Sequence, residues 1–141
     1  MITVTKEFKV TGLSHRLVMG YVGKCNSLHG HNWIIRVTLG ADDLNTFGFV
    51  QDFSDFKIFK TWLDENWDHA FLLWEGDHEA IEALRKVEGQ RLVLFPLNPT
   101  SENIAMYLGE EILPRLFEKE GVWVERVEVE ETDSSKATWS D

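Results

Sequence analysis

The segment from Cys25 to His31 concentrates residues that bind metal ions. It holds the only cysteine of the chain and two of its five histidines, His29 and His31. Side chains alternate between the two faces of a strand, so the imidazoles of a His-x-His pair project from the same face. Two imidazoles on one face, with a thiol one loop away, form an arrangement that can bind zinc and do chemistry beside it.

A zinc site needs at least one ligand beyond this pair, and His15 is the best placed. It closes the first predicted strand, whose expected antiparallel neighbour begins with the His-x-His pair. Three imidazoles leave an open coordination position, as in catalytic sites, whereas Cys25 as a fourth ligand would close the site into a structural one. Ordinary polar residues at a strand end are the simpler alternative. The candidates for the further ligand are His15, Cys25, His69 and His78.

Two carboxylates also stand where chemistry is possible. Asp68 precedes His69, and an acid can orient an imidazole and raise its basicity, although adjacent side chains meet only across a turn. Glu131 shares a strand face with Val127 and Val129 and so points toward the interior. A buried carboxylate requires hydrogen-bond donors, which the edge of a planar heterocycle with two parallel N–H groups would provide. The alternatives are a capping Asp68 beside a surface histidine and a solvated Glu131.

Hydrophobic periodicity predicts the elements that position these residues. Together they describe an α+β fold in one domain, residues 1–141, with an antiparallel sheet and two main helices on one face. Strands are predicted over residues 2–11, 31–39, 91–95 and 122–131. Helices are predicted from Asp52 or Ser54 to about Asn66, over 77–88 with Gly89 as the stop, and from a cap at Thr100, with Pro114 expected to kink or end the last one.

Composition limits the class of partner. The net charge of −10 argues against binding to a nucleic-acid backbone, while a small anionic substrate remains compatible with a locally basic pocket. One cysteine cannot form an intrachain disulfide, which is typical of the reducing cytoplasm. Neither a signal peptide nor a transmembrane segment is evident in the sequence. We therefore expect a cytoplasmic protein that acts on a small molecule rather than on nucleic acid or a membrane.

Six motifs, in order over nearly the whole chain, resemble those of the 6-pyruvoyltetrahydropterin synthase and 6-carboxytetrahydropterin synthase family. The segment before the first histidine, residues 11–14, departs from the Phe-x-Ala-Ala that is often found in that family. The motifs are His15-Arg16-Leu17, Cys25-x-x-x-His29-Gly30-His31-Asn32 followed by Trp33, Val50-Gln51-Asp52-Phe53, Asp68-His69-Ala70-Phe71-Leu72, Pro99-Thr100-Ser101-Glu102-Asn103, and Glu131-Thr132 with Ala137 and Trp139.

The resemblance implies the tunnelling fold, in which an antiparallel sheet with two helices assembles with other copies into a barrel, commonly as a homohexamer. It also implies a Zn²⁺ ion bound by His15, His29 and His31. The implied substrate is 7,8-dihydroneopterin triphosphate, an anionic pterin.

The resemblance further implies roles for the remaining motif residues. Cys25 is the thiolate that abstracts a proton, and Asp68 and His69 work with it, often from a neighbouring subunit. Glu131 holds the edge of the pterin ring. In the motif at residues 99–103, Thr100 and Glu102 are expected to contact the substrate.

Within the family, the 6-carboxytetrahydropterin branch releases acetaldehyde and triphosphate and leads to queuosine. The 6-pyruvoyl branch eliminates triphosphate and leads to tetrahydrobiopterin. We expect the carboxy branch, a carbon–carbon lyase, and keep the pyruvoyl branch as an alternative. A non-catalytic protein with a structural zinc is the alternative from another class, and a zinc hydrolase is disfavoured because the chain has no His-Glu-x-x-His helix.

Overall fold

Two long antiparallel strands form the centre of the structure, a computed structural model that describes residues 1–141. The strands are β1 (Ile2–His15), β2 (His29–Ala41), β3 (Phe71–Trp74), β4 (Leu92–Phe95), β5 (Trp123–Thr132) and β6 (Ser135–Ser140). The helices are α1 (Lys57–Asn66), α2 (His78–Arg85), α3 (Ser101–Tyr107) and α4 (Leu113–Phe117). Turns of 3₁₀ helix cover Lys24–Asn26 and Phe53–Phe56, and a π-helical turn, Leu108–Ile112, joins α3 to α4.

The sheet has the order β4-β3-β1-β2-β5-β6. The pairs β1–β2, β2–β5 and β5–β6 are antiparallel, which confirms the predicted α+β fold. In addition, β3 pairs in parallel with β1, through Ser14 and Phe71 alone, and with β4. The sequence did not predict β3 and β6. β3 is a four-residue apolar run without alternation, and β6 has only Ala137 and Trp139 as apolar residues.

One face of the central strands forms the core. The predicted apolar face of β2 is confirmed, since its alternate residues are all buried: Trp33, Ile35, Val37 and Leu39. Two helical segments cover this face with residues at helical spacing. One is α1, and the other is the long C-terminal helix, which consists of α3, the π-helical turn and α4. The principal contributors are Phe59, Leu63, Ile104, Leu108 and Leu113.

The long C-terminal helix begins at its predicted cap and continues through its proline. Thr100 accepts a hydrogen bond from the N–H of Asn103 at 3.1 Å. Pro114 lacks an N–H, and the helix continues through it after the π-helical turn rather than ending. None of the helices has the length and apolar character needed to cross a membrane.

The short helix α2 lies on the opposite face of the sheet from the main helices. Leu72 and Leu73 are consecutive in β3, so they point to opposite faces. Leu72 joins the main core, whereas Leu73 packs with Ala80 and Ile81 of α2. Helices therefore cover one face of the central strands and both faces of the β3–β4 edge.

An ion pair fastens the chain just after β1 ends. Arg16 donates through Nε to Asp77 Oδ2 at 2.7 Å and through Nη2 to Oδ1 at 2.5 Å. The carboxylate also caps α2 by accepting the N–H of Ala80 at 3.4 Å. The hydrogen bonds from Arg16 hold the pKa of Asp77 below its usual value. The pair thus ties the residue after His15 to the start of α2.

We expect Asp77→Ala to lower the free energy of unfolding by about 3 kcal/mol, because it leaves a largely buried guanidinium without its partner. Asp77→Asn keeps a capping oxygen and should lose less. Glu79→Ala is the control, since that carboxylate is 90% exposed and lies 3.7 Å from Arg16. Urea denaturation of the three variants measures the effect. An equal loss in Asp77→Ala and Glu79→Ala would contradict it.

Candidate metal centre

The register of β1 and β2 brings three histidines to one point at the end of the sheet. His15 pairs with His29, and Leu13 pairs with His31. The imidazole centres are 4.6 Å apart for His15 and His29, 5.0 Å for His29 and His31, and 5.3 Å for His15 and His31. The structure therefore places His15 beside the His-x-His pair, where the sequence predicted it.

Hydrogen bonds from Nδ1 orient two of these imidazoles. Nδ1 of His15 donates to the carbonyl of Pro99 at 2.7 Å, and Nδ1 of His29 donates to the carbonyl of Ser27 at 2.6 Å. A carbonyl oxygen only accepts, so Nδ1 carries the proton and Nε2 of the neutral ring carries a lone pair. The Nε2 atoms of His15, His29 and His31 are all buried without a hydrogen-bond partner. Buried polar atoms in this state are unfavourable unless something else satisfies them.

The carboxylate of Glu131 faces the same point. Its Oε1 lies 3.1 Å from Nε2 of His15 and 3.1 Å from Nε2 of His31. Neither contact has hydrogen-bond geometry, because both nitrogens stay without a hydrogen-bond partner. One ligand atom from each of the three histidines and from Glu131 lies within 4.8 Å of all the others. The strand face of β5 thus delivers the carboxylate to the imidazoles.

The charge pattern of this cluster fits a cation. Desolvation lowers the pKa of both His15 and His31 and outweighs the attraction of Glu131, so the rings are neutral near pH 7. Lone pairs of neutral imidazoles repel a carboxylate oxygen unless a positive charge lies between them. Imidazole nitrogen and carboxylate oxygen are ligands that zinc and similar divalent ions accept. This histidine and glutamate cluster can therefore hold a metal ion.

Cys25 lies in the loop beside the cluster but does not belong to it. The thiol residue is half-buried in the 3₁₀ turn, and its carbonyl accepts the N–H of Leu17 at 2.8 Å. Asn26 Nδ2 donates back to the carbonyl of Leu17 at 2.9 Å. These bonds close the loop between His15 and His29. Because the ligand cluster contains Glu131 and no thiol, it does not support the alternative of a structural site closed by Cys25.

Asp68 and His69 form a direct pair within the chain, outside the metal cluster. Nδ1 of His69 donates to Oδ1 of Asp68, and this hydrogen bond is the main cause of the lowered pKa of Asp68. The adjacent residues can meet because His69 adopts a left-handed backbone with φ of 53°. This is the turn that the sequence required. The side chain of His69 is 71% exposed.

Three residues that the sequence analysis did not single out hold this pair. The N–H of Thr11 donates to Asp68 Oδ2 at 3.3 Å, and its carbonyl accepts the N–H of His69 at 2.9 Å. Gly12, with φ of +66°, lies in a bulge of β1 against the His69 ring. Arg91 donates to the carbonyl of Asp68 at 2.7 Å. The glycine was the available signal, since a glycine inside a strand often marks a bulge.

The indole of Trp33 forms a wall beside the imidazoles. Its ring centre is 5.1 Å from that of His15 and 5.3 Å from that of His31. The indole N–H donates to the carbonyl of Leu13 at 3.0 Å, which fixes the ring. A rigid apolar surface therefore excludes water from one side of the cluster.

The two other predicted substrate contacts lie at the start of α3. Pro99, whose carbonyl holds His15, directly precedes them. The hydroxyl of Thr100 caps the helix, and Glu102 is exposed in the first turn. The structure thus places Thr100 one residue from the support of a histidine, while a contact of either residue with substrate stays a prediction.

Comparison with known proteins agrees with these geometric features. The chain matches the family described as 6-pyruvoyl tetrahydropterin synthase over residues 1–141. The 6-carboxy-5,6,7,8-tetrahydropterin synthase of Rickettsia bellii is 37% identical over 133 residues, which cover 94% of this chain and 95% of the relative. A protein of the same name from Aquifex aeolicus is 32% identical over 127 residues, covering 85% and 78%.

Solved structures share the fold. An uncharacterized protein from Wolinella succinogenes superposes with a TM-score of 0.83 at 26% identity, covering 99% of this chain and 98% of its own. The 6-pyruvoyl tetrahydropterin synthase of Caenorhabditis elegans superposes with a TM-score of 0.69 at 24% identity, covering 99% and 95%. The tunnelling fold expected from the sequence motifs is therefore confirmed, and the chain belongs to the 6-pyruvoyl tetrahydropterin synthase family.

Proposed function

We propose that this protein is a zinc-dependent 6-carboxy-5,6,7,8-tetrahydropterin synthase. It would convert 7,8-dihydroneopterin triphosphate and water into 6-carboxytetrahydropterin, acetaldehyde and triphosphate, on the route to queuosine. The observation that carries the proposal is the convergence of three buried, unpartnered Nε2 atoms at the end of the sheet. The names of the relatives from Rickettsia bellii and Aquifex aeolicus support the carboxy branch.

His15, His29 and His31 would hold the zinc ion through Nε2. Their orientation supports this assignment, because the Nδ1 hydrogen bonds of His15 and His29 leave the Nε2 lone pairs directed at one point. When bound, zinc would polarise the side-chain hydroxyls of the substrate and lower their pKa. Trp33 keeps one side of the site dry, which strengthens electrostatic interactions there.

Cys25 would act as the base that takes a proton from the substrate carbon attached to the pterin ring. Its half-buried position in the loop between His15 and His29, outside the ligand cluster, supports this role. Triphosphate then leaves with the electron pair of its carbon–oxygen bond. In the carboxy branch, water would then add to the side-chain carbon attached to the ring. The carbon–carbon bond beyond it would break, leaving a carboxylate on the ring, and the departing two-carbon unit would take the electron pair and a proton and leave as acetaldehyde.

Asp68 and His69 would assist proton transfer. Because Asp68 binds Nδ1 of His69, the Nε2 atom of that ring is available to accept or deliver a proton. The imidazole of His69 is exposed, and the pair lies outside the metal cluster of its own chain. We therefore assign it to a site that a neighbouring subunit completes.

Glu131 would bind the ring edge of the pterin, whose parallel N–H groups match the two oxygens of a carboxylate. Its half-buried position beside the histidines would direct the substrate side chain toward the zinc ion. Thr100 and Glu102, at the start of α3, would provide further substrate contacts.

The pyruvoyl branch is the second candidate, since the name of the family and that of the relative from Caenorhabditis elegans describe it. Both branches use the same substrate and differ in the product. Incubation of the zinc-loaded protein with 7,8-dihydroneopterin triphosphate decides between them. We expect acetaldehyde; 6-pyruvoyltetrahydropterin without acetaldehyde would establish the alternative.

The edges of the sheet support assembly into a barrel. β1 pairs on its outer side only at Ser14, and β6 forms the opposite edge. Unpaired strand edges are templates for pairing with another chain, and head-to-tail pairing can close a ring. Lys6 and Lys9 on β1 and Asp133 and Asp141 beside β6 carry opposite charges. We propose that β6 pairs with β1 of the next copy and that two such rings form a hexamer.

For the assembly, we expect light scattering to give a particle of six times the 16.3 kDa chain mass. Lys6→Glu combined with Lys9→Glu should shift the population toward smaller species at low salt, because it places like charges along the proposed contact. Lys86→Glu on the end of α2 is the matched control. A monomer at all concentrations would refute the barrel.

Cys25→Ala should lower the turnover rate by at least about 100-fold, the usual contribution of a positioned base. The variant should still retain one zinc ion per chain. Acetaldehyde release and metal analysis of the same samples measure the two quantities. Ser27→Ala, in the same loop, is the control, because its hydroxyl makes no hydrogen bond within the chain. Loss of zinc together with turnover would instead show that the thiol is a ligand.

Zinc should stay bound below pH 6.5, the ordinary pKa of a histidine. The ligands bind zinc only when they are deprotonated, and burial lowers the pKa of His15 and His31. As the pH falls, the neutral forms of these two ligands therefore persist below pH 6.5, so proton competition at His15 and His31 releases the ion only at lower pH. Equilibrium dialysis with metal analysis tests this, with His78→Ala as the control. Release centred above pH 6.5 would contradict it.

A further inference from the structure

We propose that Glu131 is the fourth ligand of the metal ion in the substrate-free protein and leaves the ion when a pterin ring binds. The proposal rests on the metal centre and the pterin substrate of the proposed function. It adds a step to them: a single carboxylate exchanges between the ion and the ring edge, so that recognition of the ring opens the coordination position that the substrate hydroxyls need.

The distances around Glu131 resemble those between the ligands of a zinc ion. In a tetrahedral zinc site with bonds of 2.0–2.2 Å, neighbouring ligand atoms are roughly 3.3 Å apart. Oε1 of Glu131 lies 3.1 Å from Nε2 of His15 and 3.1 Å from Nε2 of His31, close to that spacing. Neither nitrogen has a well-aligned hydrogen-bond partner, so a hydrogen bond to Glu131 does not fully account for these short contacts. A carboxylate oxygen of Glu131 also lies within 4.8 Å of a ring nitrogen of His29, so it stands at ligand spacing from two imidazoles and close to the third.

The carboxylate of Glu131 has no partner among the lysine and arginine side chains. Glu131 forms no ion pair with a lysine or an arginine, whereas its neighbours do: Glu130 lies 3.5 Å from Arg36 Nη2, and Glu128 lies 2.7 Å from Lys136 Nζ. The side chain of Glu131 is only 24% exposed. A half-buried carboxylate is stabilised by positive charge or donors, which a cation held by the histidines or a bound ligand would supply.

The backbone around Glu131 departs from regular strand pairing. Glu130 pairs with Lys136 and Thr132 pairs with Ser135, which leaves Glu131 unpaired at an irregularity near the end of β5. Bulges of this kind re-aim a side chain and occur next to active sites. A residue outside the regular ladder can change its side-chain direction without breaking strand pairing, as an exchange between two partners requires.

The exchange follows from competition for one pair of oxygens. A carboxylate that accepts two parallel N–H groups from a ring edge has fewer lone pairs left for the ion. Ring binding thus weakens the bond between Glu131 and the ion, and the freed position becomes available to the substrate hydroxyls. No electron transfer or further reactant is involved, because only the partners of the carboxylate change.

Cobalt substitution tests the proposal, because the visible absorption of Co²⁺ reports its ligands. Glu131→Gln should change the spectrum of the Co²⁺-loaded protein and weaken Co²⁺ binding by about tenfold or more. Glu130→Gln is the matched control, one residue away on the opposite strand face, and should leave both unchanged. Thermal melting of the metal-free variants establishes that both are folded.

A ring without a hydroxylated side chain isolates the exchange. Adding 6-methylpterin to the unmodified Co²⁺ protein should shift the spectrum toward that of Glu131→Gln, and adding it to the variant should have little effect. This arm uses the natural chain and so stays decisive if the variant fails to fold. If 6-methylpterin binds to the unmodified Co²⁺ protein and the spectrum does not change, the exchange is wrong.

The outcomes also separate this proposal from the proposed function. If Glu131→Gln binds Co²⁺ with the affinity and spectrum of the unmodified protein, Glu131 is not a ligand, and the three-histidine centre stands. If the unmodified protein binds neither Co²⁺ nor Zn²⁺, the metal centre itself fails.

Discussion

The structure depends on one electrostatic constraint. Three imidazoles direct buried, unpartnered nitrogens at a point that also holds a carboxylate oxygen. Backbone carbonyls fix the tautomer of His15 and His29. Burial lowers the pKa of His15 and His31 and so favours their neutral forms. The Nε2 lone pairs of neutral rings and the negative charge of Glu131 repel one another. A cation at this point would satisfy all four groups together. The cluster can therefore hold a metal ion, as the resemblance to the family also implies.

Distant parts of the chain supply this constraint through backbone contacts. The register of β1 and β2 brings the histidines together, the segment before α3 supplies the carbonyl that orients His15, and the end of β5 supplies Glu131. The pair formed by Arg16 and Asp77 then fixes the chain immediately after His15. Ligands held by their outer contacts keep their geometry when the ion is absent, which lowers the cost of binding it. The fold thus holds the side chains of the cluster in fixed orientations.

Much of this arrangement was predictable from the sequence, and the rest depended on contacts between elements. Alternation in β2 predicted the buried face and the direction of His31, and the spacing of Glu131 from Val127 and Val129 predicted its inward orientation. The left-handed turn at His69 could be stated only as a condition, because it depends on hydrogen bonds to Thr11 in another element. β3 was missed because its stability comes from packing on both faces, which a four-residue apolar run does not reveal.

Anomalous diffraction at the zinc absorption edge tests most directly whether three histidine nitrogens of this protein bind one zinc ion. Crystals of the protein prepared with zinc should show one anomalous peak per chain, within about 2.0–2.1 Å of Nε2 of His15, His29 and His31. No peak at this position, or a peak bound through Cys25 in place of one of the imidazoles, would contradict the account.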